Sequence, residues 1–119
     1  MAKRRVLIVE DEVLIAFELG AIVQKALDAE VLMSRSVARA KQLINQPVDL
    51  ALLDVDVTNG KTFEVAMLLR LRQIPFVFLS GSRREHIPEQ LRDVPFIPKP
   101  YDEQKLIERL RKVIPDVRE

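Results

Sequence analysis

Val48-Asp49-Leu50-Ala51-Leu52-Leu53-Asp54-Val55-Asp56 is an apolar run that stops abruptly in carboxylates. Four consecutive apolar residues, Leu50 to Leu53, leave no polar face, so the strand they form is buried on both sides. The middle of a parallel sheet covered by helices requires such a strand. Asp54 is the first polar side chain at its C-terminal end. In open α/β sheets ligands bind at that edge, because the loops leaving neighbouring strands diverge there and open a crevice. The rest of the chain can then be read by asking which residues reach the same edge.

Upstream, the apolar burst from Arg5 to Val9 halts at Glu10-Asp11-Glu12 and a helical pattern follows from Val13 to Leu27. Ile15, Leu19, Ile22 and Ala26 recur at helical spacing, with Leu14 and Phe17 widening the buried stripe. Asp11 or Glu12 is placed to cap this helix, and acids suit its N-terminal dipole. Capping accounts for one or two of the three acids and leaves another to explain. Glu30 to Met33 reads as a second strand. Ser36 opens a helix with Val37, Ala40, Leu43 and Ile44 on one face, which Pro47 ends.

Downstream of Asp54 comes the turn signal Thr58-Asn59-Gly60, then a third helix from Thr62 to Arg72 with Val65, Leu68 and Leu69 inward. Pro75 to Leu79 is a fourth strand, apolar throughout, ending at Ser80-Gly81-Ser82. The stretch from Ser82 to Asp93 carries Pro88 and few apolar residues at helical spacing, so it predicts a short, loose helix or a mobile loop. Phe96-Ile97, flanked by Pro95 and Pro98, suits a strand at a sheet edge. Lys99-Pro100-Tyr101 closes it. Asp102 then caps a last helix in which Glu103, Ile107, Leu110 and Ile114 recur before Pro115 ends it.

At 119 residues the chain is the size of one domain, 1–119, with 48% hydrophobic and 31% charged residues, the balance of a soluble globular protein. A formal net charge of +1 gives no reason to expect nucleic acid as a partner, and Lys3-Arg4-Arg5 is too short to change that. Val6 to Val9 is cut by acids too soon to be a signal peptide or a membrane span. The absence of cysteine excludes disulfides and thiolate metal sites and makes a cytoplasmic address the default expectation.

Five strands, each followed by a helical or near-helical segment, specify an α/β three-layer sandwich with right-handed crossovers. The flavodoxin-like (βα)5 arrangement, parallel sheet order 2-1-3-4-5, is the common solution, here with a weak or short fourth helix. It brings Glu10, Asp11, Asp54, Ser80 and Lys99 to one edge. Carboxylates gathered in this way repel one another unless a cation joins them. Magnesium suits an all-oxygen set of this kind. Lys99 and the Ser80 hydroxyl would then meet the oxygens of a phosphoryl group, with Asp54 as its acceptor.

These four separated motifs, Glu10-Asp11, Asp54, Ser80 and Lys99-Pro100, together resemble the receiver domains of two-component response regulators, and the resemblance covers the whole chain. It implies that Asp54 is phosphorylated by a histidine kinase or phosphotransfer protein. It further implies that Glu10, Asp11, Asp54 and the backbone carbonyl of Asp56 hold Mg2+, and that Ser80 and Lys99 contact the phosphoryl oxygens. Phe96 occupies the family's switch-aromatic position without a hydroxyl, and Tyr101 is a second aromatic close by. The loop Val55-Asp56-Val57-Thr58-Asn59-Gly60 lacks the family's usual proline. Phe76 to Ser82 is similar to an alphaproteobacterial, often single-domain subgroup whose fourth strand ends in Phe-Ala-Thr-Gly. Such a protein is a phosphoacceptor rather than an enzyme acting on other molecules. With no output domain expected, it would signal through a downstream protein partner, or serve as a relay or phosphate sink.

Two other readings are open. Leu52 to Thr58 also resembles the Asp-x-Asp motif of haloacid-dehalogenase-type phosphatases, in which Asp56 would be a general acid, although there the acidic metal pair comes late rather than first. A pseudo-receiver that binds a partner without being phosphorylated is the other, and the complete set of site residues argues against it. His86, the one histidine, reads as an exposed surface residue.

Overall fold

The apolar runs become strands of one parallel sheet in the computed structural model, which describes residues 3–57, 60–81 and 84–114. The strands are β1 (Arg4–Val9), β2 (Ala29–Ser34), β3 (Leu50–Asp54), β6 (Phe76–Ser80) and β7 (Phe96–Pro98), in the order β2-β1-β3-β6-β7. A two-stranded antiparallel ribbon, β4 (Asp56–Val57) with β5 (Gly60–Lys61), interrupts the numbering. Setting the ribbon aside, this is the expected 2-1-3-4-5 order, with β7 at an edge. The helices are α1 (Val13–Leu27), α2 (Val37–Leu43), α3 (Phe63–Leu71) and α4 (Glu103–Val113). The expected turn at Thr58-Asn59, the start of the irregular stretch at Ser82 and the helix stop at Pro115 lie outside the described residues.

Alternation along the strands produces the three layers, because successive side chains point to opposite faces. Leu7, Val9, Ala51, Leu53, Phe76 and Phe78 face α2 and α3. Val6, Ile8, Leu50, Leu52, Val77 and Leu79 face α1 and α4. β3 is buried along its whole length. Ser36 accepts a hydrogen bond from the Arg39 N–H at 3.2 Å to cap α2, and Asp102 accepts from the Lys105 N–H at 2.8 Å to cap α4. None of the helices among the described residues is long and apolar enough to cross a membrane.

Three local expectations are corrected. α1 buries Ala16, Leu19, Gly20, Val23 and Leu27, while Leu14 and Phe17 are 78% and 62% exposed. At 3.6 residues per turn, both sit about 140–160° around the helix from Leu19. Neither Asp11 nor Glu12 caps α1 through its side chain; Glu12 occupies the cap position, and its N–H donates to Glu10 Oε2 at 3.1 Å. In α4 the inward stripe is Leu106, Leu110 and Ile114, with Glu103 exposed and Ile107 half-buried.

The fourth helical connection is short, as expected, and its described residues pack against the core. It consists of two 3-10 turns, Arg84–His86 and Glu89–Leu91, and it sends Ile87 and Leu91 into the core at 2% and 1% exposure. Arg92 ties the turns together, donating from Nε to the Ile87 carbonyl at 2.8 Å and from Nη2 to the Glu85 carbonyl at 2.9 Å. His86 is exposed, as expected.

Candidate functional site

Parallel strands deliver their C-terminal ends to one edge, and Glu10, Asp54, Ser80 and Lys99 arrive there on four different strand ends. Glu10 follows β1 and is fully buried, its backbone N–H bonded to the Ser34 carbonyl at 2.9 Å. Asp54 ends β3 opposite Leu79 of β6 and is 7% exposed. Ser80 ends β6, buried, and its carbonyl accepts from the Lys99 N–H at 2.8 Å. That bond fixes where Lys99 leaves β7, at a cis Lys99–Pro100 peptide.

The side chains then meet. Lys99 Nζ donates to Glu10 Oε1 at 3.2 Å and to Asp54 Oδ2 at 3.3 Å. Glu10, Asp11 and Asp54 each place a carboxylate oxygen so that the three lie within 4.8 Å of one another. Burial, and then the charge of Glu10, push the Asp54 carboxyl up to about 6; Lys99 pulls the other way without cancelling them. For Lys99, burial disfavours the ammonium, but Asp54 and Glu10 more than offset this and raise its pKa above the ordinary value. One ammonium cannot neutralise three carboxylates. An all-oxygen donor set with excess negative charge is what a hard divalent cation takes, so Glu10, Asp11 and Asp54 could hold a metal.

The remaining expected residues are placed less centrally. The Asp56 carboxylate is exposed and pairs with Lys61 across the ribbon. Phe96 is half-buried against the α2–α3 side of the core, whereas Tyr101 packs against the α1–α4 side. The two aromatics therefore belong to opposite layers and cannot stand in for one another. Burial, assisted by Glu10, Glu18 and Asp54, pushes the Tyr101 hydroxyl up to about 12, against the opposing charge of Lys99. In the sequence Thr62 is only the start of a helix. Fully buried, it donates from Oγ1 to the Asp54 carbonyl at 2.8 Å and so ties the base of the ribbon to the strand end. A hydroxyl residue opening a helix eight positions after the acid is the only signal of this in the sequence.

A doubly wound α/β domain with a carboxylate and lysine crevice at its switch edge is the class this fold and site define. No family model matches the chain. Among solved structures, SdrG from Sphingomonas melonis Fr1 is 34% identical with a TM-score of 0.78, over 95% of this chain and 98% of that one. The non-phosphorylated HemR receiver domain from Leptospira biflexa is 27% identical with a TM-score of 0.81, over 98% of each chain. TrrA from Thermotoga maritima, solved in complex with Mg2+-BeF, shares the fold at a TM-score of 0.80 and 20% identity, over 92% of this chain and 98% of that one.

The sensory transduction protein LytT of Bacillus subtilis is 28% identical over 113 residues, covering 91% of this chain and 47% of LytT. This chain spans about half the length of the curated relatives it matches. The chain belongs to the receiver domains of two-component response regulators, a signalling family. The Asp56 carboxylate, which the phosphatase reading needs as a general acid, stands outside the Glu10, Asp11 and Asp54 cluster.

Proposed function

We propose that Asp54 accepts a phosphoryl group from a histidine kinase or phosphotransfer protein, and that the phosphorylated domain acts through protein contacts, as a relay or as a phosphate sink. The observation that carries this reading is the Lys99 ammonium bridging Glu10 Oε1 and Asp54 Oδ2 beside Asp11. Above pH 6 the Asp54 carboxylate is ionised and ready as a nucleophile. Its oxygen attacks phosphorus, the bond from phosphorus to the donor imidazole nitrogen breaks, and that nitrogen leaves with the electron pair. The product is an acyl phosphate on Asp54.

Lys99 exchanges its carboxylate partners for phosphoryl oxygens, and Ser80, at the end of the neighbouring strand, donates its hydroxyl to another. Glu10, Asp11, Asp54 and the Asp56 carbonyl would hold Mg2+, which supplies further neutralisation of the transferring group when bound. The complex of TrrA with Mg2+-BeF supports this assignment. Val13, Leu14 and Phe17 stand exposed on α1, directly after the Glu10-Asp11-Glu12 stretch. An apolar surface next to the acceptor suits a donor that is itself a protein, delivering its phosphoryl group in the cytoplasm.

Intact-mass spectrometry tests the proposal, after incubation with acetyl phosphate or with a phosphorylated histidine phosphotransfer protein, with and without Mg2+. One phosphoryl group should add in the presence of Mg2+, and Asp54→Ala should abolish it. No adduct from either donor would leave a binding module without phosphorylation, and release of inorganic phosphate with no adduct at any time would revive the phosphatase reading.

A further inference from the structure

At the sheet edge opposite the carboxylate crevice, the start of β6, the residues before β7 and the C-terminal ends of α3 and α4 surround an open groove of about 690 Å3. That volume lies within the ordinary range of ligand sites, which is roughly 300–1,000 Å3. Its floor is apolar, formed by Ile74, Pro75, Val94 and Val113 among others, and its rim carries Arg70, Arg109 and Lys112.

The rim charges are not equivalent. Arg70 is engaged, bonding Asp93 Oδ1 at 3.0 Å and the Gln90 carbonyl at 2.9 Å. Arg109 donates only to the neutral Phe96 carbonyl, at 2.9 Å, so its charge is uncompensated. Lys112 has no hydrogen bond or ion pair among the described residues, although Glu108 stands one turn away on α4. The ends of α3 and α4 contribute about half a negative charge each. Two uncompensated cations exceed that. Lys105 extends them along α4, Lys105, Arg109 and Lys112 standing at positions i, i+4 and i+7 with Glu108 among them, so the stripe keeps an excess of positive charge. Like charges at such spacing destabilise a helix, and an anionic partner lying along it would relieve them.

We propose that this groove binds an acidic segment of a partner protein, placing an apolar side chain on the floor between α3 and α4 and carboxylates on Arg109 and Lys112. A peptide suits the site better than a nucleic acid. The one aromatic residue in the groove, Phe76, is 6% exposed and offers no face on which a base could stack. The groove lies at the far edge of the sheet from Asp54, and none of its lining residues belongs to the carboxylate crevice.

The test is a methyl and amide NMR titration of the intact chain, without any phosphodonor, using the probe peptide acetyl-Asp-Glu-Leu-Leu-Glu-Asp-amide. Saturable shifts are expected at the methyls of Ile74, Val94 and Val113. A control with glycines in place of the leucines, and one with lysines in place of the acids, should each bind about tenfold more weakly or worse. Lys112→Gln removes no hydrogen bond or ion pair among the described residues, places no carboxylate beside Glu108 at the end of α4, and should keep the melting temperature while weakening the probe by about threefold. Absence of saturable shifts at these methyls up to millimolar peptide overturns the proposal, as does equal binding of the glycine control, which would mean an anion site only. Stronger binding by a short oligonucleotide would also overturn it. So would shifts of the same methyls with protein concentration alone, which would assign the face to a second copy of the chain.

Discussion

Asp54 is held in a state that favours protonation, and this has a consequence for stability. Its folded pKa is about 6, against an ordinary carboxylate value near 3.8, because burial and Glu10 oppose its charge. Between these two values the folded state keeps a proton that the unfolded chain has released. The Asp54 contribution to stability therefore falls as pH rises through roughly 4 to 6, and is flat above. Unscreened, two pKa units would amount to about 3 kcal/mol. The effective dielectric of a real protein interior, well above that of a dry one, reduces this to about 1–2 kcal/mol.

Lys99, raised by its two acidic partners, contributes in full below its ordinary pKa and is lost only above that, so it does not shape the neutral range. Asp54→Asn keeps an acceptor for Lys99 and removes the titration. Urea denaturation in EDTA should show the variant more stable than wild type by about 1–2 kcal/mol at pH 7.5, with the gap closing near pH 4. Because both proteins share every other acid, the pH dependence of the difference reports Asp54 together with its coupling to Glu10 and Lys99. A gap between the two proteins that does not change between pH 4 and pH 7.5 would refute the raised pKa.

At the scale of elements, legibility depended on how polar the neighbours were. β3 and β6 were readable because each is a short apolar run bounded by carboxylates or hydroxyls. The phase of α1 was not, because Val13 to Phe17 is apolar at every position and the periodicity has no polar face to set it. The ribbon was invisible too, since two-residue strands are too short to show a period. Arg92 is another case: its guanidinium bonds backbone carbonyls, and a carbonyl carries no residue-type signal. Those two bonds and the burial of Ile87 and Leu91 turn a stretch with little helical pattern into a packed connection between β6 and β7.

Arg92→Ala leaves the Glu85 and Ile87 carbonyls without that donor. It should cost about 1–2 kcal/mol, at roughly 1 kcal/mol for each net hydrogen bond. Amide exchange should accelerate across residues 84–92 while β1 and β3 keep their protection. Because this connection leaves Ser80 directly, binding of a phosphoryl mimic at Asp54 should alter exchange in the same residues. Exchange there unchanged by the mimic would dissociate the connection from the site.

For the molecule as a whole, the gathering of these side chains at one sheet edge was the most legible feature, and the reason is topological. Once the strands are parallel and ordered 2-1-3-4-5, Glu10, Asp54, Ser80 and Lys99 must share an edge, whatever their side chains do. Three details depend on side-chain geometry that no sequence pattern carries: the bridge made by Lys99, the turn of Glu10 toward the Glu12 N–H, and the pairing of Asp56 on the ribbon.

Such a gathering holds the folded state under electrostatic tension that only the folded state can relieve by binding a cation. Mg2+ should therefore stabilise the protein by mass action. For a site of about millimolar affinity, 10 mM Mg2+ adds about 1.4 kcal/mol. For a domain of this length that corresponds to roughly 4–8 °C in melting temperature. The rise should be larger at pH 7.5 than at pH 5, where Asp54 is mostly protonated, and it should shrink in Asp54→Asn. Sodium chloride at matched ionic strength should not reproduce it, because screening weakens Lys99 along with the repulsion. A melting temperature indifferent to Mg2+ at pH 7.5, or one that rises equally with sodium chloride, would mean that the three carboxylates are held together by Lys99 and the fold alone.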